Sequence, residues 1–370
     1  MSTLQRGSTP RPASRTADVR ASPLARFLLA AYALLIVYAS LYPLAEWRDP
    51  GVSALAFLAA PWPRYLTAFD LGANVLGYAP YGLLCALAVH PRLRGAPAVL
   101  LAALSGAALA LALEAAQSFL PARIASNVDL LANLAGAAAG GIAGVLLARW
   151  LLEEGPLKRL RGWAFVPGAD ADLGLTLLGL WLFAQLNPAT LLFGAGDLRD
   201  LLAAEGMEHD AEFFISIEAA TAAANLLAVT LLASAMLNAG APARAICSAL
   251  VAAALAVKTL GFAILMRAED MMAWLTPGAQ QGLAAGFVLM LAALALPRTA
   301  RLALAAVLVM MATVLVNLAP PNPYLAAILK VWTPGHFLHF NGLTRLLSAA
   351  WPFAALAYLI YLASRRARER

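Results

Sequence analysis

Three short stretches of this chain place carboxylates, amides and one guanidinium at spacings that suit chemistry. Asp70 precedes Asn74 by four residues, and Asp129 precedes Asn133 by the same interval. On a helix, positions i and i+4 share a face, so each pair projects one acid and one amide in one direction. Glu114 and Gln117, three apart, lie between the two copies, followed by Arg123 and Ser126. Such a set can offer carboxylates to hydroxyl and amide donors of a ligand, with Arg123 for an anionic group. Paired carboxylates holding Mg²⁺ would instead suit a lipid pyrophosphate. A phosphatase of that kind is expected to bring more basic residues, or a His nucleophile, than the single Arg123. The simplest role for either Asp is capping, because an acid at a helix start satisfies free N–H groups and suits the helix dipole.

The segments carrying these residues are strongly apolar. Of 370 residues, 62% are hydrophobic and 12% charged, and mean hydropathy is +0.76. A soluble domain of this length needs far more polar surface. Apolar blocks fall at about 25–45, 70–90, 97–119, 129–151, 171–193, 212–237, 245–266, 280–296, 301–318 and 343–363. A span of a bilayer takes roughly 20 residues of helix. The pattern therefore predicts an all-α, polytopic membrane protein with about ten transmembrane helices. The block at 280–296 is short, and 52–60 is too short to cross, which suits an interfacial or re-entrant piece. Glu114 lies within an apolar block, where an unpaired carboxylate costs roughly 2.5–3.5 kcal/mol or more. It should face the bundle interior near Arg123, Asn74 or Asn133. Asp70, Asn74, Glu114, Gln117, Arg123, Ser126, Asp129 and Asn133 are thus expected around one pocket at one membrane face.

The net charge is +6. With the N-terminus inside, 18 of the 26 basic residues fall on the cytoplasmic side and 7 outside, with Lys258 inside a helix. That asymmetry predicts both termini in the cytoplasm, and it reads as an orientation signal rather than a nucleic-acid footprint. Arg and Ala usage suits a GC-rich bacterial genome. Residues 1–23 are rich in Ser, Thr, Pro and Arg and are expected to be a disordered cytoplasmic terminus. Residues 24–152 form a four-helix unit, 153–170 a basic cytoplasmic linker, 171–363 a six-helix unit and 364–370 a basic tail. The run Lys158–Arg161 suits anionic headgroups, or serves simply as topology signal. Cys85 and Cys247 sit in apolar blocks as packing residues. No metal or cofactor pattern is recognisable, and no nucleotide-phosphate loop, nucleophile elbow or zinc-protease helix is present.

The ordered motifs carry a resemblance. D-x-x-x-N-x-x-x-Y-x-P-x-G from Asp70 to Gly82, E-x-x-Q from Glu114 to Gln117, and R-x-x-S-x-x-D-x-x-x-N-x-x-G from Arg123 to Gly136 resemble the VanZ-like family. That family is named for a protein linked to teicoplanin resistance. The resemblance covers about residues 30–150 and implies a factor of the bacterial cell envelope, placed in the cytoplasmic (inner) membrane. Its partner would be the lipid bilayer and an amphiphile such as a lipid-linked envelope precursor or a lipophilic glycopeptide. The six-helix unit resembles an extension of some VanZ-like proteins, most distinctively at Asn322-Pro323-Tyr324 and His339-Phe340-Asn341-Gly342. The family establishes no activity, so an enzyme acting on a lipid pyrophosphate and a proton-coupled transporter remain alternatives.

In the six-helix unit, Gln185 and Asn187 come late in one helix, Glu218 early in the next and Lys258 in the third. Glu218 and Lys258 fall at similar depths and are expected to form a structural ion pair. His336 and His339 are too few for a zinc site and suit loop packing. Tyr324 and Trp332 suit interfacial anchoring.

Overall fold

The computed structural model describes residues 22–62, 67–199, 211–266, 268–320, 322, 324 and 338–369. Each apolar block becomes one helix. The front unit holds α1 (Pro23–Leu41), α2 (Ala68–Val89), α3 (Ala96–Gln117) and α4 (Asn127–Ala148), which runs on into a π-helical turn, Arg149–Glu154. A short helix, α5 (Pro156–Ala164), lies on the connection. The rear unit holds α6 (Ala169–Ala184), α7 (Ala211–Ser234), α8 (Ala243–Leu265), α9 (Pro277–Ala293), α10 (Arg298–Leu318) and α11 (Leu338–Glu369). No strand occurs among the described residues; Phe165 and Leu237 make one isolated bridge. Among the described residues, eight helices are long and apolar enough to cross a membrane. The remaining two apolar helices, α6 with 16 residues and α9 with 17, are shorter. At about 1.5 Å per residue they fall a little short of a ~30 Å hydrocarbon core. The chain is a multi-pass membrane protein.

Gly stripes bring helices together in both units. The most extensive helix contact joins α2 to α4, and the next joins α7 to α9. A Cβ on Gly136, Gly140 or Gly144 of α4 would meet the carbonyl oxygen of Val75, Ala79 or Leu83 on α2 at 2.3, 1.8 or 2.7 Å. On α9, Gly278 and Gly282 lie equally close to the Ile215 and Ala219 carbonyls of α7. Without a hydrophobic drive between helices in lipid, such small-residue contacts supply the attraction, because backbones can approach and pack closely. Burial separates centre from edge: 67% of the α7 span is buried, against 11% of α1. Both cysteines are buried thiols, and Cys247 Sγ donates to the Thr230 carbonyl.

Three stretches differ from the sequence expectation. The predicted linker contains α5, started by Pro156 at its first turn. Its Leu157, Leu160 and Trp163 are exposed beside Lys158 and Arg159, the pattern of a helix lying in a membrane interface. The predicted basic tail continues the last helix as far as Glu369. The predicted helix 171–193 ends at Ala184, because Asn187-Pro188 cannot extend it. The chain from Gln185 to Gly196 is irregular yet mostly buried. Non-helical backbone at membrane depth survives only where protein satisfies it. Here Gly196 N–H donates to the Ser348 carbonyl at 2.8 Å and Asn317 Nδ2 to the Gly196 carbonyl at 2.6 Å. The expectations for residues 1–21, for Trp332 and for His336 lie outside the described residues, as does the His339 side chain.

Candidate functional site

Two helix starts organise the front site. Thr67 caps α2: its hydroxyl accepts from Asp70 N–H at 3.0 Å and donates to Asp70 Oδ2 at 2.6 Å. Ser126 caps α4, accepting from Val128 and Asp129 N–H at 3.2 and 3.3 Å. The near-repeat therefore begins three residues earlier than the Asp, as Thr67-x-x-Asp70 and Ser126-x-x-Asp129, a capping pattern at identical spacing. The α2–α4 approach then places the Asn74 amide beside the Asp129 carboxylate.

The end of α3 supplies Glu114, which is 5% exposed. Its Oε2 accepts the Ser126 N–H at 2.8 Å, so the carboxylate holds the turn between α3 and α4. Gln117 Nε2 donates to the Ser40 carbonyl and Arg123 Nη2 to the Ala39 carbonyl, each at 2.8 Å. These are carbonyls of the last turn of α1, which a helix end leaves without internal partners. The two residues thus fasten α1 to the rest of the unit. Tyr32 adds a second fastening, donating to the Gly77 carbonyl at 2.9 Å. Burial lowers the pKa of the Arg123 guanidinium while the charge of Glu114 works against that, so the cation sits in a partly dry place facing a carboxylate.

Between α1 and these polar groups lies a cavity of about 720 Å³. Its wall combines the polar side chains of Asn74, Glu114, Gln117, Arg123, Asp129 and Asn133 with Tyr32, Leu35, Ile36, Tyr78, Phe183 and Leu343. Asn133 is 5% exposed, and its Oδ1 has no hydrogen-bond partner. Asp70 and Ser126 stand outside the cavity wall, because each is turned to its own helix start. Among the described residues, no three of His, Cys, Asp and Glu converge as a metal nest.

Residues 23–151 match the family model described as VanZ/LLP1. The front unit is a VanZ-like domain. No curated protein and no solved structure matches the chain. All eight candidate residues lie inside the VanZ-like domain, whereas Phe183 and Leu343 lie beyond it and carried no signal apart from their apolar character. Tyr32 is one of three hydroxyl side chains in α1, with Tyr38 and Ser40, and its spacing did not single it out.

Beyond the VanZ-like domain, the expected Glu218–Lys258 ion pair is not a direct contact. Lys258, 1% exposed, donates to the carbonyls of Asn187 and Thr190 at 2.7 and 2.8 Å and to Thr190 Oγ1 at 3.1 Å. Glu218, 2% exposed, accepts from Thr276 Oγ1 at 2.6 Å. The physical reason is the irregular turn after α6. Its free carbonyls sit at a helix C-terminus, where a cation is favoured, and they claim the ammonium group. The two charges then act on each other only through space.

Proposed function

We propose that this protein binds an amphiphilic lipid of the bacterial cell envelope in the cavity of its VanZ-like domain, with a lipid-linked envelope precursor as the class of ligand. One observation carries the reading. Asn133, whose amide oxygen is buried without a partner, belongs to the wall of a cavity that combines polar with aliphatic and aromatic side chains. A buried polar atom without a partner costs about 1–3 kcal/mol, so it marks a place where a donor belongs. Glu114, Asp129 and Asn133 make that wall rich in acceptors, which suits hydroxyl or amide donors on a headgroup. Arg123 adds one desolvated cation suited to an anionic group. The aliphatic and aromatic wall suits a hydrocarbon chain.

The excess of basic residues on the opposite side supports an orientation in which the polar residues of the cavity face outward from the cytoplasmic membrane and both termini lie inside. Asp70, engaged by Thr67, does not join Asp129 inside the cavity, and Lys258 and Glu218 each have local partners. These placements favour binding over a lipid-pyrophosphate enzyme or a proton-coupled transporter.

Native mass spectrometry of the protein released from nanodiscs tests the reading. The wild type should retain one lipid class through detergent removal, and Asn133→Leu should lose it while keeping its folded charge-state distribution. A wild type that carries only the bulk lipid mixture would overturn the reading.

A further inference from the structure

The family match ends at residue 151, yet the cavity does not. Its remaining wall is Phe183, at the end of α6, and Leu343, in the first turns of α11. α1 is the shared element: it contacts α2 and α3 of the front unit and α6 and α11 of the rear unit. Gly342 fixes the second junction, since a Cβ there would come within 2.8 Å of the Tyr42 ring. The rear unit is therefore docked tightly against the end of α1, and that docking sets how wide the apolar part of the cavity is.

The cavity follows α1 from Ser40 back to Tyr32. Eight residues of helix rise about 12 Å, or about two-fifths of a ~30 Å hydrocarbon core. The head-binding groups cluster on α2, α3 and α4, so a chain leaving them must run between α1 and the rear unit. Nothing in its composition separates this wall from lipid, because acyl chains are as apolar as Leu. What the wall can select is shape.

We propose that the rear unit is the chain selector of the VanZ-like domain, with Phe183 and Leu343 as the specificity-determining residues for the hydrocarbon chain of a single bilayer lipid. The inference rests on the binding reading above and adds which part of the protein reads which part of the ligand. The occupant comes from the bilayer: the cavity lies at membrane depth beside α1, whose Leu34 is 70% exposed and faces away from it.

Benzoylphenylalanine incorporated at single positions tests this in native membranes, with adducts identified by mass spectrometry. Position 183 or 343 probes the chain, position 124 (Ile124, 89% exposed and in the cavity wall next to Arg123) probes the head, and position 34 reports bulk lipid. One lipid class should be enriched at 124, 183 and 343 over 34 by about tenfold, the discrimination that small differences of shape give in a pocket. Phe183→Ala should widen the range of chain lengths captured at 124 without reducing capture. Enrichment at 124 with only bulk lipid at 183 and 343 would overturn the chain-selector inference and leave the binding reading standing. The bulk mixture at every position would overturn both.

Discussion

Gly140→Ala is the smallest change that should open the front unit. The added Cβ would lie 1.8 Å from the Ala79 carbonyl oxygen, and ordinary contact begins at 3.4 Å. The obstacle is backbone on a helix, not a side chain that can rotate away. α4 must therefore retreat from α2 by about 1.6 Å at that level. A radial gap of ~0.5–1 Å already forfeits a quarter to a half of each van der Waals contact. Gly136 and Gly144 flank the position one turn away on either side, so their close contacts weaken together with it. Overpacking typically costs 1–3 kcal/mol, and a rigid obstacle puts this case near the upper end, about 3 kcal/mol. The same retreat moves Asn74 away from Asp129 in the cavity wall, so lipid retention should fall with stability. Thermal unfolding in detergent is the assay, with Gly72→Ala and Gly77→Ala as controls, since a Cβ at either meets nothing within 4 Å. A Gly140→Ala protein as stable as both controls would refute the claim that the glycine stripe sets the α2–α4 distance.

Lys258→Met should destabilise because it strands the Asn187 and Thr190 carbonyls, and Glu218→Leu because it strands the Thr276 hydroxyl. A double-mutant cycle should return a coupling below about 1 kcal/mol, while recovery of several kcal/mol would mean a direct ion pair. Acid should loosen the loop after α6. Burial alone would raise the Asp197 pKa, but the two-pronged Arg199 contact, at 2.9 and 2.6 Å, outweighs it and holds the carboxyl below its usual range. A depressed folded pKa means that the stabilisation is fully present above the unfolded value of about 3.9 and is lost as pH falls below it. Asp197→Asn should flatten the acid limb of a stability–pH curve, and an unchanged limb would contradict the assignment. Reporter fusions after residues 160 and 370 should read as cytoplasmic and a fusion near 203 as external; an external C-terminus would reverse the orientation argument.

The legibility of this fold follows from where each interaction keeps its partners. Helices were readable because ten apolar blocks leave little choice in a bilayer. The Asp70–Asn74 and Asp129–Asn133 pairs were readable because their spacing matches a helix face, and Glu114 because a carboxylate in an apolar span is costly. Thr67 was missed although Thr67-x-x-Asp70 mirrors Ser126-x-x-Asp129. Roles that depend on backbone acceptors were hidden, since a carbonyl leaves no mark in a sequence. Gln117 and Arg123 looked like ligand groups, yet each also holds a terminal carbonyl of α1. Lys258 and Glu218 matched in depth and charge, but the irregular turn at Asn187–Thr190 could not be foreseen in detail. Glycine positions were readable only in part: Gly82 and Gly136 close the two motifs, and each does meet the facing helix. Gly140 and Gly144, which continue the α4 stripe against α2, fell outside those motifs. Phe183 and Leu343 resemble dozens of neighbours and become notable only beside the cavity.

The measurement that bears most directly on the central claim is a high-resolution cryo-electron microscopy map of the protein in nanodiscs of native lipid. The account predicts one continuous elongated density in the cavity. Its head should lie within hydrogen-bond reach of Asn133 Oδ1 and near Arg123, and its chain should pass between α1 and the pair Phe183 and Leu343. A cavity closed by side chains, with Asn133 paired to protein and every lipid density confined to the outer surface of the bundle, would contradict it.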